Sequence, residues 1–211
     1  MKQDVPAAAE EIFGDNLPKA IRYHESLATD GNIRGFMGPR EIPKLWDRHI
    51  LNCAVIGEAM RHGIKVTDIG SGAGLPGIPL AIARPDLDIT LIEPLLKRST
   101  YLAEIVDQLE LPNVTVVRGR AEDKAIRKQV GLADVVTSRA VAPLGKLAHW
   151  SLPLAKVGGR MTAMKGESVA EELDRDAAII AKAGAGASKI FVVGEALLPQ
   201  PTTLISIERR R

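Results

Sequence analysis

The stretch Ile64-Lys65-Val66-Thr67-Asp68-Ile69-Gly70-Ser71-Gly72-Ala73-Gly74-Leu75-Pro76-Gly77-Ile78-Pro79 decides the fold. A short β-rich run ends on an acidic residue, glycines follow at 70, 72, 74 and 77, and Ile78 to Ala83 read as the start of an apolar helix. Strand, glycine turn and helix in that order form the nucleoside- or phosphate-binding corner of a doubly wound α/β sheet. Glycine is needed there because a Cβ would hold the backbone off a ligand and because tight turns often require positive φ.

The glycines alone leave the ligand open. Gly72-x-Gly74-x-x-Gly77 also satisfies a dinucleotide fingerprint, and a β-α turn of this kind can exist with no ligand at all. No Gly-Lys-Ser/Thr follows the glycines, which excludes a Walker A loop. Two carboxylates narrow the choice. Glu93 ends the next strand candidate, Ile89 to Ile92, where it can accept hydrogen bonds from both ribose hydroxyls of a nucleotide-like cofactor. Asp68 puts a negative charge beside the turn, which repels a pyrophosphate and attracts a sulfonium or amino group. Together they favour S-adenosylmethionine over NAD.

Outward from this corner, strand candidates recur at 114–117, 133–137 and 160–164, with a segment long enough for a helix between each pair. The pattern predicts a mostly parallel sheet covered on both faces. Beyond it, a charged helix over 169–182 turns Leu173, Ala177 and Ile180 to the sheet, and two β-rich segments follow, 189–193 and 203–207. The link between those two, Leu197 to Pro201, is too short for a crossover helix, so they are expected to run antiparallel. Asp68, Glu93, Arg118, Arg139 and Lys165 fall just beyond strand carboxyl ends, the edge along which open α/β sheets bind ligands.

Upstream of the corner, residues 5–30 read as two short amphipathic helices joined at Gly14-Asp15-Asn16. A glycine-rich loop follows, 31–39, with Phe36 and Met37 as exposed-looking apolar residues. Leu45, His49, Cys53, Ile56 and Met60 recur at helical spacing over 43–62, and Trp46, Arg48 and His49 form a candidate wall of the site. Residues 1–62 are thus expected to be a helical extension packed on a core of residues 63–211.

At 211 residues with 45% hydrophobic content the chain can bury one sizeable core. A net charge of +2 permits attraction to nucleic acid without demanding it. The lone Cys53 reads as a buried core thiol, and the four histidines lie too far apart for a metal-binding pattern. The N-terminus has no secretory signal and no apolar run is long enough to span a bilayer, which points to the cytoplasm and away from membranes. Oligomeric state is not readable.

Laid out in order, several segments resemble those of the bacterial small-subunit ribosomal RNA guanine-N7 methyltransferases, the glucose-inhibited division protein B family. They are Leu45-Trp46-Asp47-Arg48-His49-Ile50-Leu51-Asn52, the run Asp68 to Ala81, Glu93 with Lys97-Arg98, Arg118-Gly119-Arg120-Ala121-Glu122, Thr137-Ser138-Arg139-Ala140, and Lys165-Gly166. Thr29 to Gly35 departs from the family, which usually carries a Trp-Asn pair and an Asn-Leu-Thr element there.

The resemblance implies a seven-stranded Rossmann-like class I methyltransferase fold, an α/β fold with one antiparallel strand near the end. It implies methyl transfer from S-adenosylmethionine to N7 of a guanosine in the 530 loop of 16S rRNA, in the small subunit or an assembly intermediate. By the same likeness Asp68, Gly70, Ser71, Gly72, Gly74, Gly77, Glu93, Ala121, Glu122 and Arg139 are the cofactor-site candidates. Arg48, His49, Arg118, Arg139 and Lys165 are candidates near the target base. The competing readings are a methyltransferase for another nucleic acid or a small molecule, and a noncatalytic ribosome-assembly protein.

Overall fold

The computed structural model describes residues 4–139 and 141–211. Its strands are β1 (Lys65–Ile69), β2 (Asp88–Glu93), β3 (Val114–Arg118), β4 (Ala133–Arg139), β5 (Ala155–Met164), β6 (Ala185–Val193) and β7 (Thr202–Arg209). They form one seven-stranded sheet in the order β3-β2-β1-β4-β5-β7-β6. β1 to β5 pair in parallel, and β7 runs antiparallel to both β5 and β6. This is the expected arrangement, and the short link from Leu197 to Pro201 accounts for the reversal.

The central strands β1, β2 and β4 are short and largely buried because helices cover both faces. One layer holds α1 (Ala7–Phe13), α2 (Leu17–Ser26), a helical stretch from Ile42 to Ala59 that contains α3 (Asn52–Ala54), α4 (Gly77–Ala83) and α5 (Leu96–Gln108). The other holds α6 (Lys124–Val130), α7 (Leu144–Ser151) and α8 (Val169–Lys182). Alternation along the strands sorts side chains between them: Val66, Ile89, Leu91 and Val135 face the first layer, while Ile69, Ile92 and Val136 face the second. The first core runs unbroken from Ala9 and Tyr23 to Leu91 and Leu102, so the N-terminal helices share it with the sheet. Among the described residues no helix is long and apolar enough to cross a membrane.

Four local expectations change. Residues 43–62 do not make one α-helix: a 3-10 turn, Ile42–Lys44, leads into a π-type segment, Leu45–Leu51, then α3 and a second 3-10 turn, Val55–Ala59. Met37 is buried and Phe36 half-buried, its ring 5.3 Å from Tyr101, while Ile33 is the exposed apolar residue of that loop at 82%. On α8 the inward position falls on Asp176, not on the exposed Ala177. Its carboxylate is tolerated there because it accepts the Gly145 amide at 2.8 Å and pairs with Arg175. Finally, β5 begins at Ala155, so Gly158-Gly159 lies inside it; a Cβ on Gly159 would sit 2.8 Å from the Asp134 carbonyl oxygen.

Gly77 opens α4 where helix and sheet approach most closely. A Cβ there would come within 2.8 Å of the Asp68 carboxylate and closer still to the Leu91 side chain. Gly77→Ala is therefore expected to cost about 1–3 kcal/mol through overpacking, read as a lower urea midpoint at unchanged slope. An unchanged midpoint would contradict the packing.

Candidate active site

The carboxyl ends of β1, β2 and β4 open into a cleft of about 660 Å³. Its floor is the glycine turn, with Gly70, Ser71, Gly72 and Ala73, and beside that turn lie Glu93, Pro94, Leu95 and Arg98. Phe36, Met37 and Gly38 from the N-terminal loop form one wall, and Glu41, His49, Arg139 and Val141 complete it. Gly70 and Gly72 take φ of +67° and +60°. A side chain at Gly70 would also meet Val141 at 3.0 Å, whereas Gly72 is open toward the cleft.

Glu93 is 2% exposed and ties the cleft together. One carboxylate oxygen accepts the Gly72 amide and the other accepts the Leu95 amide, both at 2.9 Å. A carboxylate has about four lone-pair sites, so each oxygen keeps capacity for a ligand hydroxyl. Tyr23 on α2 steadies the turn from the opposite side, its hydroxyl donating to the Ala73 carbonyl at 2.9 Å.

Asp68 is a correction. Strand alternation turns it inward with Val66, and it is fully buried beneath the turn, outside the cleft lining. One carboxyl oxygen accepts the Gly77 amide at 3.1 Å and the other has no partner. Burial raises its pKa to about 7, opposed by the nearby Ser71 hydroxyl and the Gly77 amide; the Ser71 hydroxyl itself donates to the Asp68 main-chain carbonyl at 3.1 Å. Its charge therefore does not select a ligand, and its role is to hold the turn.

On β4 the same alternation puts Val135, Thr137 and Arg139 on the face toward the N-terminal layer. There the helical stretch presents His49 and Cys53, four residues apart. Arg139 Nη2 donates to His49 Nδ1 at 2.6 Å, and Nη1 donates to Cys53 Sγ at 3.4 Å. His49 Nε2 lies 2.7 Å from a Glu41 carboxylate oxygen. Burial and then the Arg139 cation lower the His49 pKa, and Glu41 only partly opposes them. Cys53 is the buried core thiol the sequence predicts, and it packs against Arg139. Burial raises its thiol to about 11, so it remains a protonated, packed side chain.

The other sequence candidates are not gathered in this cleft. Gly74 and Gly77 shape the turn from behind, with Gly74 at φ +103°. Ala121 is buried and Glu122 half-buried on the loop after β3, and Arg118 is exposed at the end of that strand. Arg48 points outward beside Pro43, Lys44 and Leu198, its side chain 63% exposed. Lys165 lines a neighbouring depression that meets the cleft at Val141, and it is bound to Glu172 at 2.7 Å. Ala140, part of the Thr137-to-Ala140 motif, lies outside the described residues. Arg209 closes β7 at the opposite sheet edge, donating to the Pro153 and Ala155 carbonyls. Sequence reading missed Glu41 as a site residue, since a single glutamate in a loop carries no spacing signal.

The sheet order, its single reversed strand and a cleft at the carboxyl edge of the first strands together define a class I methyltransferase fold. Solved structures share it: fibrillarin of Aeropyrum pernix with natively bound S-adenosyl-L-methionine has a TM-score of 0.56 at 18% identity, over 76% of this chain and 74% of that one. An O-methyltransferase family protein from Burkholderia thailandensis has a TM-score of 0.56 at 15% identity, over 95% of this chain and 70% of that one. At the level of sequence, the profile of the rRNA small subunit methyltransferase G family matches residues 16–198. The ribosomal RNA small subunit methyltransferase G of Corynebacterium glutamicum is 75% identical over 98% of this chain and 92% of that protein. Its counterpart in Rhodococcus jostii is 60% identical over 98% of this chain and 90% of that protein. The chain belongs to the rRNA small subunit methyltransferase G family.

Asp68 yields a test of the turn by itself. Its pKa is higher folded than unfolded, so its contribution to stability is complete below about pH 3.8 and is lost as the pH rises through about 7. Asp68→Asn removes that dependence, so urea unfolding is expected to show the variant gaining on the wild type between these pH values. Parallel stability profiles would contradict the buried carboxyl.

Proposed function

We propose that this chain transfers a methyl group from S-adenosylmethionine to N7 of a guanosine in the 530 loop of 16S rRNA. The observation that carries the reading is a cleft combining a cofactor-type carboxylate with a guanidinium, in which no group among the described residues is left free to act as a base. Glu93 holds two amides and would be taken up by the cofactor ribose, His49 is engaged by Arg139 and Glu41, and Glu41 by His49. Guanine N7 has an in-plane lone pair and loses no proton before attack, so alignment is the main requirement. Exocyclic amine or pyrimidine C5 chemistry asks for more, and the Cys53 thiol, buried and raised to about 11, does not supply a nucleophile.

The residues present fit the cofactor. Glu93 retains acceptor capacity for two ribose hydroxyls, and Gly72 has no side chain where a nucleoside would pass closest. Leu75 and Leu95 give apolar surface beside it. When bound, the cofactor supplies an electrophilic methyl on a positively charged sulfur. Arg139 would hydrogen-bond guanine O6 or a phosphate and stay charged throughout, which makes it an orienting group. Arg118, exposed beyond β3, and Arg48 at the surface would meet RNA phosphates, so binding should weaken with salt. Lys165, bound to Glu172, would act at the edge of the base site if at all.

The direct experiment is transfer of labelled methyl to unmethylated 16S rRNA, 30S subunits and assembly intermediates, with the modified nucleoside mapped. Formation of 7-methylguanosine in the 530 loop is expected, and methylation of another atom or position would overturn the reading. Glu93→Gln should weaken cofactor binding by about 1.5–3 kcal/mol, roughly ten- to a hundredfold, through lost charged hydrogen bonds. Calorimetry measures this, and an unchanged affinity would remove Glu93 from the ribose site. Arg139→Ala should lower kcat by about a hundredfold while cofactor affinity changes far less; equal losses in both would place Arg139 on the cofactor instead.

A further inference from the structure

We propose that Glu41 is a positioning residue for methyl transfer: its carboxylate holds His49 in the Nε2–H form, which presents a lone pair to Arg139 and aims that guanidinium into the cleft. The inference rests on the proposed function and adds a residue that neither the glycine turn nor the strand ends supply.

The donor and acceptor inventory leaves one consistent arrangement. A guanidinium has five N–H donors and no acceptor, so the 2.6 Å contact between Arg139 Nη2 and His49 Nδ1 requires a lone pair on Nδ1. Neutral imidazole with a bare Nδ1 carries its proton on Nε2. That proton points at the Glu41 carboxylate, 2.7 Å away, and a carboxylate only accepts. Two of the Arg139 donors are spent on His49 and Cys53, leaving the remainder for the cleft. His49 is nearly closed off from water, its side chain 9% exposed, so solvent does not readily replace Glu41 in fixing the tautomer.

Without an acceptor at Nε2, the Nδ1–H form competes and sets an N–H against the Arg139 N–H. The guanidinium then swings out of register although no group touching substrate has changed. A carboxylate that orients a histidine is a recurrent catalytic device; here the histidine orients an arginine and moves no proton. The charged groups facing His49 are Glu41 from the loop before the helical stretch, Arg48 on that stretch and Arg139 from β4. The hydrogen bond with His49 lowers the Glu41 pKa most, and Lys44 at 3.5 Å and Arg48 at 3.8 Å add to it, so Glu41 favours its ionised form.

Two measurements test this. The first is the tautomer of His49 in the wild-type protein, read from imidazole nitrogen shifts and assigned by the signal lost in His49→Gln. An Nε2–H tautomer is expected near neutral pH, and an Nδ1–H form or an imidazolium would overturn the proposal. The second compares Glu41→Ala, which removes the acceptor as well as the charge, with wild type in methyl transfer to the small subunit. The variant should lose about tenfold or more in kcat, as orienting carboxylates do, with KM for S-adenosylmethionine within about twofold. Its acid limb should move to lower pH, because removing a negative neighbour disfavours the imidazolium. An unchanged kcat or an acid limb that stays in place would sink the role of Glu41 while leaving the methyltransferase reading intact. Failure of the wild type to methylate any ribosomal particle would sink that reading instead, and the tautomer measurement would still decide the geometry.

Discussion

The hydrogen bond from the Gly77 amide to the buried carboxyl of Asp68 is the constraint on which the site depends. It fastens the first turn of α4 to the end of β1, and the closeness it enforces excludes a side chain at position 77. With the helix start fixed, the intervening residues have little freedom. Gly70 and Gly72 are forced into positive φ, and the Gly72 amide is delivered to Glu93 on the neighbouring strand. A carboxyl that is only partly ionised near neutral pH is suited to this position. It anchors an amide without the full desolvation cost of a buried charge.

The N-terminal helices extend that constraint into the active cleft. Tyr23 holds the far side of the turn, and the loop before the helical stretch lays Phe36 and Met37 along the cleft wall. Where that stretch passes β4, its π-type segment brings His49, and α3 brings Cys53, against Arg139. Five of the sixteen residues that line the cleft thus come from chain that precedes the first strand. The glycine turn and Glu93 stand at the sheet edge; the partners of the Arg139 guanidinium come from the N-terminal layer.

Much of this was legible in the sequence because the relevant signals are local. Gly70, Gly72 and Glu93 follow from strand, turn and strand in succession, and the reversed β7 follows from the length of one connection. The segments that resemble the family named both fold and chemistry. What escaped was set by packing between distant segments. Asp68 looked like a ligand-facing charge because it adjoins glycines, although the alternation shared with Val66 already turned it inward. Cys53 read only as a core thiol because residues 53 and 139 meet only after the helical layer docks. Ala177 fitted an apolar stripe, yet Asp176 took the inner place once Gly145 left room and an amide to bind it. Arg48 and Lys165 carried suggestive charges, but one faces solvent and the other is bound by Glu172.

The most direct test is a crystal structure with S-adenosylhomocysteine bound. The ribose hydroxyls are expected on Glu93 and the sulfur in the cleft bordered by Gly70 and Arg139, with the Gly77–Asp68 hydrogen bond intact. Density for the nucleoside elsewhere, or a turn that rebuilds to release Asp68, would contradict a preformed site organised by that buried carboxyl.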